Sequence, residues 1–247
     1  MSGMSFVATL TAGLSNPARF MAVSRWLAPV LGAGAALAIV AGLALGLNAP
    51  DDYQQGATVK IMFIHVPAAI MSMTAYGCLA AASFFGLVFR HALADAAAKA
   101  AAPIGAAFTA LALATGSLWG RPMWGTFWVW DARLTSELVL LLLYVGYMAL
   151  YAAMDDEQKG ARAAAILALI GVVNLPIIHY SVVWWNSLHQ GETIFAAGGS
   201  KASPVYLAPL GMMMLGYFLL FGALWLVRTR TEVWRRRAAA QALRAAR

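Results

Sequence analysis

Residues 134–153 read LTSELVLLLLYVGYMALYAA. An α-helix needs roughly 20 mostly apolar residues to cross about 30 Å of hydrocarbon at 1.5 Å per residue, and this run meets that length with one charge near its start. Working outward, comparable runs occupy 26–47, 61–89, 101–118, 163–183 and 204–227. The chain is 62% hydrophobic and only 11% charged, against about 25% charged in a soluble domain, so these runs are suited to a bilayer. Ala and Leu dominate them, and they are too long for the alternating strands of an outer-membrane barrel. The sequence therefore predicts an all-α integral membrane protein, a six-transmembrane-helix bundle. One integral domain covers 1–247: an N-terminal segment (1–25), six spans within 26–227 and a basic tail (228–247). The run 61–89 is long enough to tilt or to project from the bilayer.

Lys and Arg set the orientation, because basic loops tend to stay cytoplasmic. Of seventeen Lys and Arg, thirteen fall in the N-terminal segment, the connections near 95 and 157, and the tail; Lys60, Arg121, Arg133 and Lys201 occupy the opposite connections. Both termini are expected in the cytoplasm. The formal net charge of +7 then needs no nucleic acid, being a topology signal plus a tail suited to anionic lipid headgroups or a soluble partner. The single Cys, Cys78, lies within a span, which excludes an intramolecular disulfide and a CxxC redox pair. The first span reads as an uncleaved helix, since 25 residues precede it. The cytoplasmic connections read as plain polar turns.

Immediately before 134–153 stands WGRPMWGTFWVWD, residues 119–131, with Trp119, Trp124, Trp128 and Trp130 beside Arg121, Asp131 and Arg133. With Trp184 and Trp185, six of the nine Trp lie in two connections on one side, whereas interfacial anchoring distributes Trp over both. Such a surface, aromatic with charges at its rim, suits a large planar anionic ligand. Trp124 and Trp128 stand at i and i+4, and Pro122 suits a first helical turn, so 122–130 is expected to form a short helix in the interface plane.

Two histidines lie on the same expected outer side, His65 in FIHVP at the start of the second span and His189 in WWNSLHQG. An ionisable group within a span warrants a functional hypothesis, and neutral imidazole is the commonest metal ligand. Taken singly, each is more readily a hydrogen-bonded structural residue; as a pair beside the Trp loop they can approach one metal ion from opposite faces of a macrocycle. His179 competes with His189 from a nearby span end, and His91 reads as solvated. Trp185 and His189 are i, i+4, which would put an indole beside the imidazole if that segment is helical. Arg133 and Glu137 have salt-bridge spacing, Asp131 is a natural N-cap or a ligand contact, and Arg121 and Arg133 can donate to carboxylates.

The run WGRPMWGTFWVWDARLTSELVLLLLY closely resembles the tryptophan-rich WWD signature of haem-handling membrane proteins. With six spans, one such loop and WWNSLHQG, the chain is similar to the haem exporter protein C (CcmC) family of System I cytochrome c maturation. The resemblance implies His65 and His189 as axial haem ligands. It also implies a periplasmic haem platform at 119–131, with Trp184 and Trp185 contributing to the haem-binding surface, in a bacterial inner (cytoplasmic) membrane. It implies delivery of haem, as haem b, to the periplasmic chaperone CcmE, in a complex with the ABC ATPase CcmA, the membrane subunit CcmB and the small single-span CcmD. No phosphate-binding GxxxxGK[ST] motif occurs, so ATP hydrolysis belongs to a partner and the chain is not read as an enzyme. Two rival readings are a quinone or ion-translocating subunit, which predicts acidic residues near mid-span where almost none occur, and a purely structural assembly subunit whose Trp loop docks a protein.

Overall fold

The structure, a computed structural model, describes residues 16–185, 187–189 and 203–246. Lys201, the first fifteen residues, and Asn186, Gln190 and Gly191 of WWNSLHQG lie outside the described residues. Helices α1 (Pro17–Leu47), α2 (Met62–Phe89), α3 (Ala92–Trp124), α4 (Ala132–Ala153), α5 (Glu157–Gly171), α6 (Asn174–Trp184) and α7 (Pro204–Ala245) follow one another up and down. Among the described residues six units are long and apolar enough to cross a membrane, with α5 and α6 forming one of them. The six-helix membrane bundle expected from the apolar runs is thus the observed fold.

Local chemistry fixes where helices begin. The side chain of Asn16 accepts from the Ala18 N–H, that of Asp131 from Leu134 and that of Asp156 from Gln158 and Lys159, each satisfying an N-terminal donor that has no intrahelical partner. His91, expected in solvent, instead caps α3 by accepting from the Ala94 N–H at 3.1 Å. Several helices outrun their apolar segments: α1 starts at Pro17, α3 reaches Trp124 and α7 continues to Ala245, so the basic tail is an extension of the last span. Ala, Leu and Arg propagate a helix beyond the hydrocarbon, whereas an apolar window measures only the crossing. The fifth span breaks after Gly171, where Pro176 offers no N–H to the Val172 carbonyl. The buried Asn174 beside the break donates to the Ser136 carbonyl at 2.9 Å.

α2 packs along α3, α1 along α7, and α4 on α3, α5 and α6. One core gathers Phe63, Met71, Phe108 and Tyr217; the other gathers Tyr76, Leu140, Tyr144, Tyr147 and Ile178. At the end carrying the tail, Arg236 pairs with Asp95 and Glu232, Lys99 with Glu157 and Glu232, and Arg235 with Glu157 and Glu232. The connections read as plain turns are therefore tied to α7. The up-and-down course gathers the other ends of the helices, with the Trp-rich loop, His65 and His189, at the opposite face.

Candidate functional site

His65 stands in the first turn of α2 and faces the last turns of α3. Its Nδ1 lies 3.1 Å from the Ala112 carbonyl and 3.2 Å from Thr115 Oγ1. A carbonyl oxygen only accepts, so Nδ1 carries the hydrogen and Nε2 keeps its lone pair. Trp119, one turn further along α3, meets the imidazole edge-on at 5.6 Å between ring centres. Its indole N–H donates to Gln55 Oε1 at 2.7 Å, and Gln55 is held in turn by the Asp52 side chain, which accepts from its backbone N–H.

Gly116 and Gly120 make this face of α3 close enough for rings. A Cβ on Gly116 would lie 2.9 Å from His65 Cε1, and one on Gly120 2.6 Å from Trp124 Cε3. Trp124 thus folds back over α3 one turn beyond the His65 contact, a rise of about 6 Å. His189 packs against Trp124 with ring centres 4.6 Å apart. Both imidazoles consequently lie along one face of α3, and His65 is within electrostatic reach of His189 and Arg133.

The N-cap residue Asp131 has two roles. Oδ1 accepts from the Leu134 N–H, while Oδ2 accepts from His189 Nδ1 at 2.8 Å and from the Ser187 hydroxyl. Burial acts to raise the Asp131 carboxyl, but the bonds from Ser187, Leu134 and His189 outweigh it and hold the group below its ordinary value. Burial lowers His189, and Arg133 adds to that; the hydrogen bond and charge of Asp131 oppose it only in part. At neutral pH the pair is an ionised carboxylate receiving Nδ1–H from a neutral imidazole, again with the Nε2 lone pair uncommitted among the described residues. A carboxylate on the distal nitrogen fixes ring orientation and makes the other nitrogen a better ligand.

Several expectations need correction. Residues 122–130 do not form an interfacial helix: α3 runs on to Trp124 and stops at Gly125, whose φ of 77° suits glycine and whose N–H bonds back to the Arg121 carbonyl. Trp124 and Trp128 therefore do not share a helical face, and the rings do not lie flat together. Trp128 and Trp130 stand at 77°, as do Trp184 and Trp185 at 75°. The segment after α6 is extended at Trp185, so the indole beside His189 is Trp124 and not Trp185. Arg133 and Glu137 form no ion pair. Arg133 donates to the Ile178 carbonyl at 3.0 Å, and Glu137 turns to Ser72. Arg121 lies over the Phe127 ring at 4.6 Å, and the exposed His179 packs edge-on against Tyr180. Trp130, Trp184 and Trp185 are exposed. Trp128 buries its indole nitrogen with no hydrogen-bond partner among the described residues. The supporting residues Gln55, Thr115, Gly116, Gly120 and Ser187 were missed. Of these, only the Gly116/Gly120 pair, at i and i+4, carries a sequence signal.

The bundle is that of a multi-pass membrane protein, with two imidazoles set along one face of α3. The Heme exporter protein C family model matches residues 10–244. The chain is 57% identical over 224 residues to Heme exporter protein C of Bradyrhizobium diazoefficiens, covering 91% of this chain and 85% of that one. It is 52% identical over 221 residues to that of Escherichia coli K12 (89% of each) and 49% over 227 residues to that of Paracoccus denitrificans (92% and 94%). The chain belongs to the Heme exporter protein C family.

Proposed function

We propose that this protein holds haem at its Trp-rich end and passes it on during cytochrome c maturation, with His65 and His189 as the two axial ligands. The observation that carries the reading is the matched state of the imidazoles. Each commits Nδ1–H to a protein acceptor, Ala112 O or Asp131 Oδ2, and each keeps Nε2 for iron. The four equatorial positions are filled by the porphyrin, so the protein needs only these two donors. Trp119 and Trp124 brace the imidazoles edge-on, and the Trp128 N–H, without a partner among the described residues, is suited to a haem carboxylate. Trp130, Trp184, Trp185, Arg121 and Arg133 are assigned as further haem contacts.

The Trp-rich end faces the periplasm, both termini are cytoplasmic, and the membrane is the bacterial inner membrane, in keeping with the distribution of Lys and Arg. The ligand is haem b, and the recipient is the periplasmic chaperone CcmE. CcmA, CcmB and CcmD complete the complex, and CcmA supplies ATP hydrolysis. The chain itself is a holder and presenter: release requires a second protein state that binds haem less tightly, which an ATP-driven partner can impose. The test is absorption of detergent-purified protein from haem-replete cells. The wild type should carry a Soret band, and the His65→Ala/His189→Ala double variant, inserted to the same level, should have lost it. An unchanged spectrum in the double variant rejects the ligand assignment.

A further inference from the structure

Glu137 lies outside the ligand set, yet it is a carboxyl group inside the bundle with only 6% of its surface exposed. We propose that Glu137 is a neutral, proton-carrying positioning residue that pins α4 to α2 through Ser72 and so fixes the gap between the two imidazoles. This rests on the reading of His65 and His189 as haem ligands.

Hydrogen counting supports the neutral form. Ser72 Oγ lies 2.7 Å from the Ala69 carbonyl and 2.7 Å from Glu137 Oε1. A serine hydroxyl owns one hydrogen, and a carbonyl and a carboxylate both only accept. One of these short contacts would then hold two lone pairs with no hydrogen between them. A proton on Glu137 resolves both: the acid O–H donates to Ser72 Oγ, and Ser72 donates to Ala69 O. The surroundings agree. Among the described residues the charged group acting on Glu137 is Arg133, one turn away on its own helix. Arg133 pairs with the Ile178 carbonyl rather than with Glu137. Ser72 of α2 bonds Glu137, and Tyr144 of α4 lies within electrostatic reach of it. An unpaired carboxylate there would be costly, and a carboxylic acid with a partner is not.

Position gives the contact its consequence. Ser72 follows His65 by two turns of α2, about 10.5 Å along the axis, and Glu137 follows Asp131, the residue that orients His189, by less than two turns of α4. α2 packs chiefly on α3, α5 and α7 rather than on α4. The direct bridge between the two helices is gathered at Ser72: Glu137 engages its hydroxyl, and the Tyr144 hydroxyl donates to its carbonyl at 2.8 Å. The Tyr76 and Tyr144 rings meet edge-on at 5.1 Å beside it. Loosening that bridge lets the helix carrying His65 shift against the helix that sets His189.

The experiment compares full-length Glu137→Gln, Glu137→Leu and Ser72→Ala with wild type after haem-replete expression. A glutamine amide donates to Ser72 as the acid does, so Glu137→Gln should match wild type in haem retention and in its dependence on pH. Glu137→Leu and Ser72→Ala should insert normally but retain roughly tenfold less haem, the scale of one buried hydrogen bond left unmade. Infrared spectra of the haem-free protein at neutral pH should contain a protonated-carboxyl C=O band that disappears in Glu137→Gln. Loss of haem in Glu137→Gln, full retention in Glu137→Leu, or absence of that band overturns the proposal. If wild type itself carries no haem, the ligand reading fails instead, and the infrared arm still tests the neutral acid.

Discussion

At the scale of single residues, Asp131 concentrates the chemistry of the site because one carboxylate starts a helix and aims an imidazole. The two duties separate by substitution. Asparagine caps a helix about as well as aspartate but brings no negative charge to His189 Nδ1. Asp131→Asn is therefore expected to unfold at nearly the wild-type temperature while haem affinity falls roughly 10- to 100-fold, as for other groups that orient metal ligands. Equal losses of stability and haem would assign Asp131 to the fold alone. The same pair sets a pH response. Asp131 and His189 both sit below their ordinary values in the folded protein, so the folded loop binds fewer protons than the unfolded chain. Its contribution to stability is present at neutral pH and is lost on acidification. Haem retention should hold as pH falls to the ordinary imidazole value of 6.5 and decline only below it, a course that titration of the Soret band follows directly. A midpoint above 6.5 would contradict the neutral, buried imidazole.

At the scale of elements, α3 organises the site, since its last turns touch His65 through Ala112, Thr115 and Trp119 and touch His189 through Trp124. That face works because two of its residues lack a Cβ. Gly116→Ala places a methyl 2.9 Å from His65 Cε1 and should displace the ring, weakening the Soret band; Gly77→Ala in α2, where nothing lies within 4 Å, should leave it unchanged. Equal spectra in the two variants would mean that the Gly116 approach is not needed for ligation. The spans were legible because an apolar run has few alternatives in a bilayer. The expected helix at 122–130 was not, because the i, i+4 spacing of Trp124 and Trp128 is present in sequence whether or not Gly125 turns left-handed between them. Asp131 was legible as a cap from its local pattern alone, whereas its bond to His189 joins residues 58 apart and leaves no local trace.

At the scale of the whole molecule, the alternating course of the helices gives the two ends different chemistry. One end locks the α7 extension to Asp95, Lys99 and Glu157 through a balanced set of ion pairs, and the other collects aromatic rings and two neutral imidazoles. Residue types predicted which groups would sit at each end, and the placement of His65 and His189 at one end was readable because both flank spans of opposite direction. What supports them was hidden, since Gln55, Ser187 and Ser72 are ordinary polar residues until the bundle brings distant segments together. The central claim is that these two imidazoles share one iron. Electron paramagnetic resonance of the oxidised, haem-replete protein tests it directly. Wild type should give a low-spin signal from two nitrogen ligands that converts largely to high spin in His65→Ala and, separately, in His189→Ala. A low-spin signal unmoved by either substitution would contradict it.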